Sequence, residues 1–321
     1  MAAIAESFKL PLNTSLGSPL LFSVGLHLVV IFGVFNEYFF TIFNLQNIMV
    51  QATVLGLLGL AVALPLLIAE IDLSIPANAG FSAAVGAIAY SDWGLPWVIA
   101  MLLGLIVGTA IGFFNGWCIT RLKMVALIET LAMMIILQGA LLAFTQGKTL
   151  NNFAEGYTWI GQVTIAGWPL MPIVFLLMLI IVGILLKNTV LGRSIYAVGG
   201  NPAASLSAGI RVNRVKIMTY TLSGFLAALA GFLLASWQMA ITSNQGSSYL
   251  LYAIAAPIIG GISVFGGRGN VKGVLGGVLL LTVIQVGLAI VNVPSFYVGM
   301  IGGIMIFIAV AIDAIRVRYF G

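Results

Sequence analysis

The chain has 321 residues, of which 61% are hydrophobic and only 7% are Asp, Glu, Lys or Arg. Soluble domains carry about 25% charged residues, so this sequence cannot build a water-facing surface, and most of it must face lipid. The net charge of +5 does not point to nucleic acid, because the basic residues fall in short loops rather than on one amphipathic face.

In chain order, residues 1–18 read as a short cytoplasmic tail, since no clear small-residue cleavage site precedes the first long apolar run. Apolar segments follow near 19–36, 48–69, 74–90, 94–118, 124–144, 168–186, 217–237, 249–266, 273–292 and 296–314. A bilayer-crossing helix needs about 20 residues, and the third and eighth segments are short and broken by Gly or Pro. An all-α polytopic protein with about ten transmembrane helices is therefore predicted. It forms one membrane domain over 19–315, followed by a cytoplasmic tail at 316–321. The 38 glycines suit helices that approach closely in lipid. His27 lies in the first apolar run and reads as a packing or interfacial residue. Cys118 stands alone, which excludes an intrachain disulfide and a cysteine-only metal cluster. No metal site or cofactor is expected.

The positive-inside rule tests this topology. Ten crossings with both ends cytoplasmic place 12 of the 13 basic residues inside and leave Lys148 alone outside, with Glu37, Asp92 and Glu155 in outer loops. The two longest loops differ. Residues 145–167 face outward and contain Asn151, Asn152, Tyr157 and Trp159, which suit an interfacial belt or a docking surface. Residues 187–216 face the cytoplasm and carry five basic residues and no acid.

Within that cytoplasmic loop, Gly200, Asn201, Pro202, Ala203 and Ala204 spell a helix start. Asn is a good N-cap, and Pro fits the first helical position, where a backbone N–H has no partner. Gly209 is placed to end the helix. A helix of about two turns is unstable alone in water, so it must dock, either on its own membrane domain or on a separate partner.

Polar residues inside apolar runs are the other candidates for function. Glu70, Asp72 and Ser74 lie between Pro65 and Pro76, which suggests a broken region. They read either as a cytoplasmic-end turn with Asp72 or Ser74 capping the next helix, or as a pathway-lining turn. Glu129 either snorkels to Arg121 or Lys123 or faces a pore, where it could hold a hydroxyl-rich or cationic solute. Asn244, Gln245, Ser248 and Tyr249 enter the eighth span from outside, either as a solvated loop or as passing contacts for a polyol. Gly260, Gly261, Gly266 and Gly267 make that span a poor straight helix. The Gly267-x-Gly269 string is not a dinucleotide site, because no strand precedes it.

Four blocks resemble the permeases of ribose-type bacterial ABC importers. They are Glu70-Ile71-Asp72-Leu73-Ser74; Phe114-Asn115-Gly116 with Thr120; Gly199 to Gly231, including Lys216, Tyr220 and Ser223-Gly224; and Ala253 to Gly273 with its paired glycines. The resemblance covers most of residues 45–315, with the blocks in the expected order. It implies a bacterial inner-membrane permease that moves a sugar-like solute. The implied partners are a cytoplasmic ABC ATPase gripping a coupling helix at 200–209, a periplasmic or lipoprotein solute-binding protein, and a second permease copy or paralogue. Asn115 becomes a pathway candidate through its block. The chain departs from the family at Glu129, where a small or neutral residue is usual, and after Tyr249, where acids are often found. It contains no Gly-x-x-x-x-Gly-Lys-Ser/Thr, so ATP hydrolysis is expected on the separate subunit. The competing readings are a stand-alone secondary transporter or channel, which needs intramembrane coupling groups that are scarce here, and a membrane-embedded enzyme, for which no catalytic constellation is visible.

Overall fold

Long apolar runs become helices because lipid offers no partner for backbone N–H and C=O groups, which a helix satisfies internally. The computed structural model describes residues 17–304 except 152, 154, 295 and 296, together with residues 307 and 311. Its helices are α1 (Gly17–Phe35), α2 (Ile42–Leu67), α3 (Ile75–Ser91), α4 (Trp97–Arg121), α5 (Ala126–Thr145), α6 (Glu155–Gln162), α7 (Met171–Asn188), α8 (Val190–Gly200), α9 (Pro202–Ser207), α10 (Val212–Gln238), α11 (Leu250–Ile259) and α12 (Val271–Ile290). A two-residue hairpin pairs β1 (Thr164–Ile165) with β2 (Trp168–Pro169).

Among the described residues, six helices (α2, α4, α5, α7, α10 and α12) are long and apolar enough to cross a bilayer. The 17 residues of α3 fall just below that length. With 10 residues, α11 reaches about 15 Å, roughly half of a hydrocarbon core. The eighth apolar run thus stops as a helix at Ile259 rather than continuing to 266. The expected tails lie almost wholly outside the described residues. The last run is described only in part, helical over 297–304.

Burial separates the helices into a centre and a rim. In α2, 94% of the most apolar window is buried, and in α10 the share is 67%. In α4, α5 and α7 it is only 22%, 28% and 28%. The rim helices turn Ile106, Ile128, Ile135, Leu177 and Ile180 outward, as lipid-facing helices must. Glycine stands at every fourth position of α4, at 104, 108, 112 and 116; Gly104 lies against Ser82 of α3, and the other three set the seam with α10. That spacing keeps one face bare. A methyl group on Gly112 would run into the Tyr220 carbonyl and Gly224, so the two backbones touch there.

The same sequence of parts occurs twice. After α2, Ala69 adopts a left-handed conformation (φ 60°), the chain runs irregularly to Ser74, and the short α3 leads into α4. After α10, Met239 does the same (φ 51°), an irregular stretch follows, and the short α11 leads into α12. Each short helix packs on the long helix of the other half: Gly231 of α10 lies on Ala79 of α3, and α11 packs against α2. The two breaks enter the bundle from opposite ends. The first lies at the end that carries Arg121, Arg211 and Lys216. The second lies near Leu150, whose backbone bridges to Ile241.

Candidate functional site

At the basic end, α2 stops, and Asp72 organises the turn that starts α3. Its Oδ1 accepts the Ser74 N–H (2.8 Å) and the Ser74 hydroxyl (2.6 Å). The Ser74 hydroxyl in turn accepts from Asn115 Nδ2 (2.9 Å) on α4. The Leu73 N–H donates to the Thr130 hydroxyl (3.2 Å) on α5. Ser74 therefore does not cap α3 through its own side chain; Asp72 holds the turn, and Pro76 supplies the preset φ near the helix start. Asn115 lies six residues before Arg121 at the end of α4, which puts this network roughly 9 Å inside the helix end.

Glu129, in the first turn of α5, is 3% exposed. It does not reach Arg121 or Lys123. It turns inward, close enough to Asp72 for the two charges to repel, and one of its carboxylate oxygens is buried without a hydrogen-bond partner. Glu70 forms an ion pair with Lys216 of α10. The structure thus brings Glu70, Asp72, Ser74, Asn115 and Glu129, scattered over sixty residues of sequence, to one place. Beside them opens a cavity of about 600 Å³ lined by Glu70, Thr120, Lys123, Asn213 and Lys216. Sequence reasoning does not single out Thr130, Lys216 or Tyr220 for this site. The available signal was the i, i+4 spacing of the last two, which puts them on one helix face.

The outer candidates separate. Between α10 and α11 the chain folds back into the bundle: a methyl group on Gly246 would collide with the Pro76 carbonyl, and one on Gly80 with the Gln245 carbonyl. Ala79 and Gly231 lie at the same level, seven residues before the end of α10, so the segment descends about 10 Å from that end. Gln245 is buried, accepts from the Thr242 N–H and hydroxyl, and donates to Gln238 Oε1. Asn244 and Ser248 stay exposed, and Tyr249 is half-buried.

The basic loop contains two helices. Thr189 caps α8 through Gly192 N–H (3.1 Å), and Asn201 caps α9 by accepting Ala204 N–H (2.9 Å). Gly209, at φ 82°, ends the turn. The helix α8 is a finding that the sequence reading of 187–216 does not contain. It is seated by bare backbone: Gly199 lies directly on the Leu67 carbonyl, which also accepts Gly267 N–H (2.9 Å). The Tyr196 hydroxyl donates to the Gly269 carbonyl (2.9 Å), and burial raises its pKa. On α9, Pro202, Ala203, Ala204 and Leu206 are exposed, as is Gly200 beside them. A groove of about 530 Å³ flanks this face, lined by Arg121, Arg211 and Arg214.

A buried polar break, a two-helix basic platform with an exposed small-residue face, and paired half-bundles are the parts of a transport protein. Residues 44–310 match the family described as branched-chain amino acid transport system / permease component. The ribose import permease protein RbsC of Bacillus subtilis is 38% identical over 288 residues, covering 89% of each chain. RbsC of Escherichia coli K12 is 36% identical over 89% of this chain and 90% of its own. The fructose import permease protein FrcC of Rhizobium meliloti is 33% identical over 89% of this chain and 82% of its own. The chain belongs to the family of monosaccharide ABC importer permeases. No solved structure matches it. As such a permease it is a multi-pass membrane protein, and its candidate site divides into a polar break within the bundle and a platform at the basic end.

Proposed function

We propose that this permease forms the translocation pathway of an ATP-driven importer for a monosaccharide or sugar-like solute in the bacterial inner membrane. A solute-binding protein outside the membrane delivers the load. A separate ABC ATPase seats on 187–216 and hydrolyses the ATP, and a second permease chain completes the pathway. The basic end is then cytoplasmic. The observation that carries this reading is the exposed face of α9, Pro202, Ala203, Ala204 and Leu206, held in helical form by the Asn201 cap and flanked by three arginines. Small residues let a partner's groove close over the backbone, and the arginines favour an acidic rim on that partner.

At the break, acceptor oxygens of Asp72, Asn115 and Glu129 and the hydroxyls of Ser74 and Thr130 lie where α2, α3, α4 and α5 converge. Such groups exchange hydrogen bonds with solute hydroxyls at low cost, because each bond lost to the solute's water is replaced. Gln245 and Gly246 reach the other side of the same α3 start. The two breaks therefore face each other across the first turns of α3 and form the constriction that alternating access must open from either side.

Reconstitution tests this. The chain is co-expressed with its ATPase and binding protein, purified, and placed in proteoliposomes with radiolabelled ribose and fructose as probes. Uptake requiring both ATP and the binding protein is expected. Uptake that persists without any ATPase would instead support a stand-alone transporter.

A further inference from the structure

Lys216 and Tyr220 stand one turn apart on the same face of α10, and both meet the break after α2. Lys216 Nζ donates to Glu70 Oε1 and so joins residues 146 apart in sequence. The second oxygen of that carboxylate, Oε2, is buried with no hydrogen-bond partner. The hydroxyl of Tyr220 is also fully buried; it has no well-aligned partner, yet it already stands close to the Glu70 carboxylate, in reach of a hydrogen bond. A buried acceptor and a buried donor, side by side with no well-aligned bond between them, demand an explanation, since folded proteins pair nearly all such groups. They are complementary. A small rotation of α10 would align the Tyr220 O–H on Glu70 Oε2 as Lys216 draws away.

The placement of Lys216 gives that movement a source. α10 starts at Val212, immediately after α9 and its Gly209 stop, and Lys216 lies in its second turn. Any displacement of 187–216 reaches Lys216 before it reaches the rest of α10. On the other side of the contact, Glu70 is two residues from Asp72, which holds the start of α3 through Ser74. The chain of contacts runs from the platform, through Lys216 and Glu70, to the polar break.

We propose that Glu70 is a two-position latch, held by Lys216 in the state described here and passed to Tyr220 when the platform moves. Glu70, Lys216 and Tyr220 are then positioning residues that convert platform movement into opening of the break. This inference rests on the importer reading and adds to it the part of the chain through which the ATPase acts on the pathway.

The test uses the whole reconstituted complex and reads ATP hydrolysis and uptake of radiolabelled ribose and fructose separately. Tyr220→Phe removes only the hydroxyl and keeps the ring. It should lower uptake about tenfold while ATP hydrolysis and complex abundance stay near wild type. Lys216→Met should show the same split. Glu70→Lys or Lys216→Glu alone should abolish uptake, and the two together should recover a large part of it, because the pair is restored with its charges exchanged. Wild-type uptake by Tyr220→Phe overturns the latch. So does a charge exchange that recovers no more than either single reversal, or a loss in which hydrolysis, uptake and abundance fall together, which marks a merely structural pair. If the wild-type complex takes up solute without ATP, the importer reading fails first and the latch falls with it. That outcome is recognisable because hydrolysis and uptake are unlinked before any residue is changed.

Discussion

The Asn201 cap offers a direct measure of how far α9 matters to the partner. The helix has six residues, too few to persist on propensity alone. Its N-terminus is fixed by one side-chain hydrogen bond, from Ala204 N–H to Asn201 Oδ1 at 2.9 Å. Replacing an Asn N-cap by Ala costs about 1 kcal/mol, which shifts an equilibrium about fivefold. Pro202 still presets the first helical φ, so the loss should not run far beyond that. If the ATPase binds α9 in its helical form, Asn201→Ala should raise the apparent Kd about two- to fivefold. The ATPase would be titrated against the purified permease in detergent and binding followed by thermophoresis. Asn201→Asp keeps an equally good capping oxygen and should bind within twofold of wild type, or about that. An unchanged Kd for the Ala variant, or equal weakening by Ala and Asp, would refute the cap argument.

Further outcomes follow from the same geometry. Ala203→Glu places a bulky charge on the exposed face of α9; membrane insertion should be intact and ATPase copurification lost. Asp72→Ala strands the Ser74 N–H and leaves the Ser74 hydroxyl, which receives the Asn115 bond, without its acceptor. At about 1–3 kcal/mol for each buried group left unpaired, the thermal midpoint of the detergent-solubilised chain should fall by several degrees, as differential scanning fluorimetry would show. Glu129→Gln keeps the volume but removes a buried charge that opposes Asp72, so its midpoint should not drop below wild type; a fall as large as that of Asp72→Ala would show the charge to be structural. In a Cys118→Ala background, Ser207→Cys should react with a membrane-impermeant maleimide in inverted vesicles but not in whole cells, and the opposite pattern would defeat the cytoplasmic assignment of 187–216.

Much of the architecture is legible where one local rule dominates. Apolar runs without charges had to be helices, and Asn201-Pro202 followed by small residues had to start one. Of the basic residues that the sequence assigns to one side, Arg121, Arg211 and Arg214 line a single groove where α4 ends and α10 begins. Legibility failed where a distant partner decides. The Gly192 and Gly199-Gly200 positions argue against a helix over Val190–Gly200 on propensity, yet Gly199 has to be glycine because the Leu67 carbonyl occupies the space of a side chain. The end of α11 at Ile259 is made locally by Gly261, left-handed at φ 88°, as the paired glycines suggest; what no window of sequence reveals is that Gly260 then lies against Gly273 of α12. The burial of Gln245 likewise depends on Gly80 and Pro76 lying opposite. At the site, the acidic and amide candidates were visible as costly residues in apolar runs, but their convergence was not. Glu70 could be recognised as anomalous; its partner Lys216 could not be, since nothing local links them.

The junction at Leu67, Gly199 and Gly267 sets how force can travel. Three stretches of main chain meet there with no side chain between them, so there is no rotamer to rearrange and no cushion to compress. If an ATPase seats on this platform as proposed, a push on α8 and α9 meets main chain directly at the end of α2 and at the stretch that leads into α12, and so reaches both halves of the bundle together.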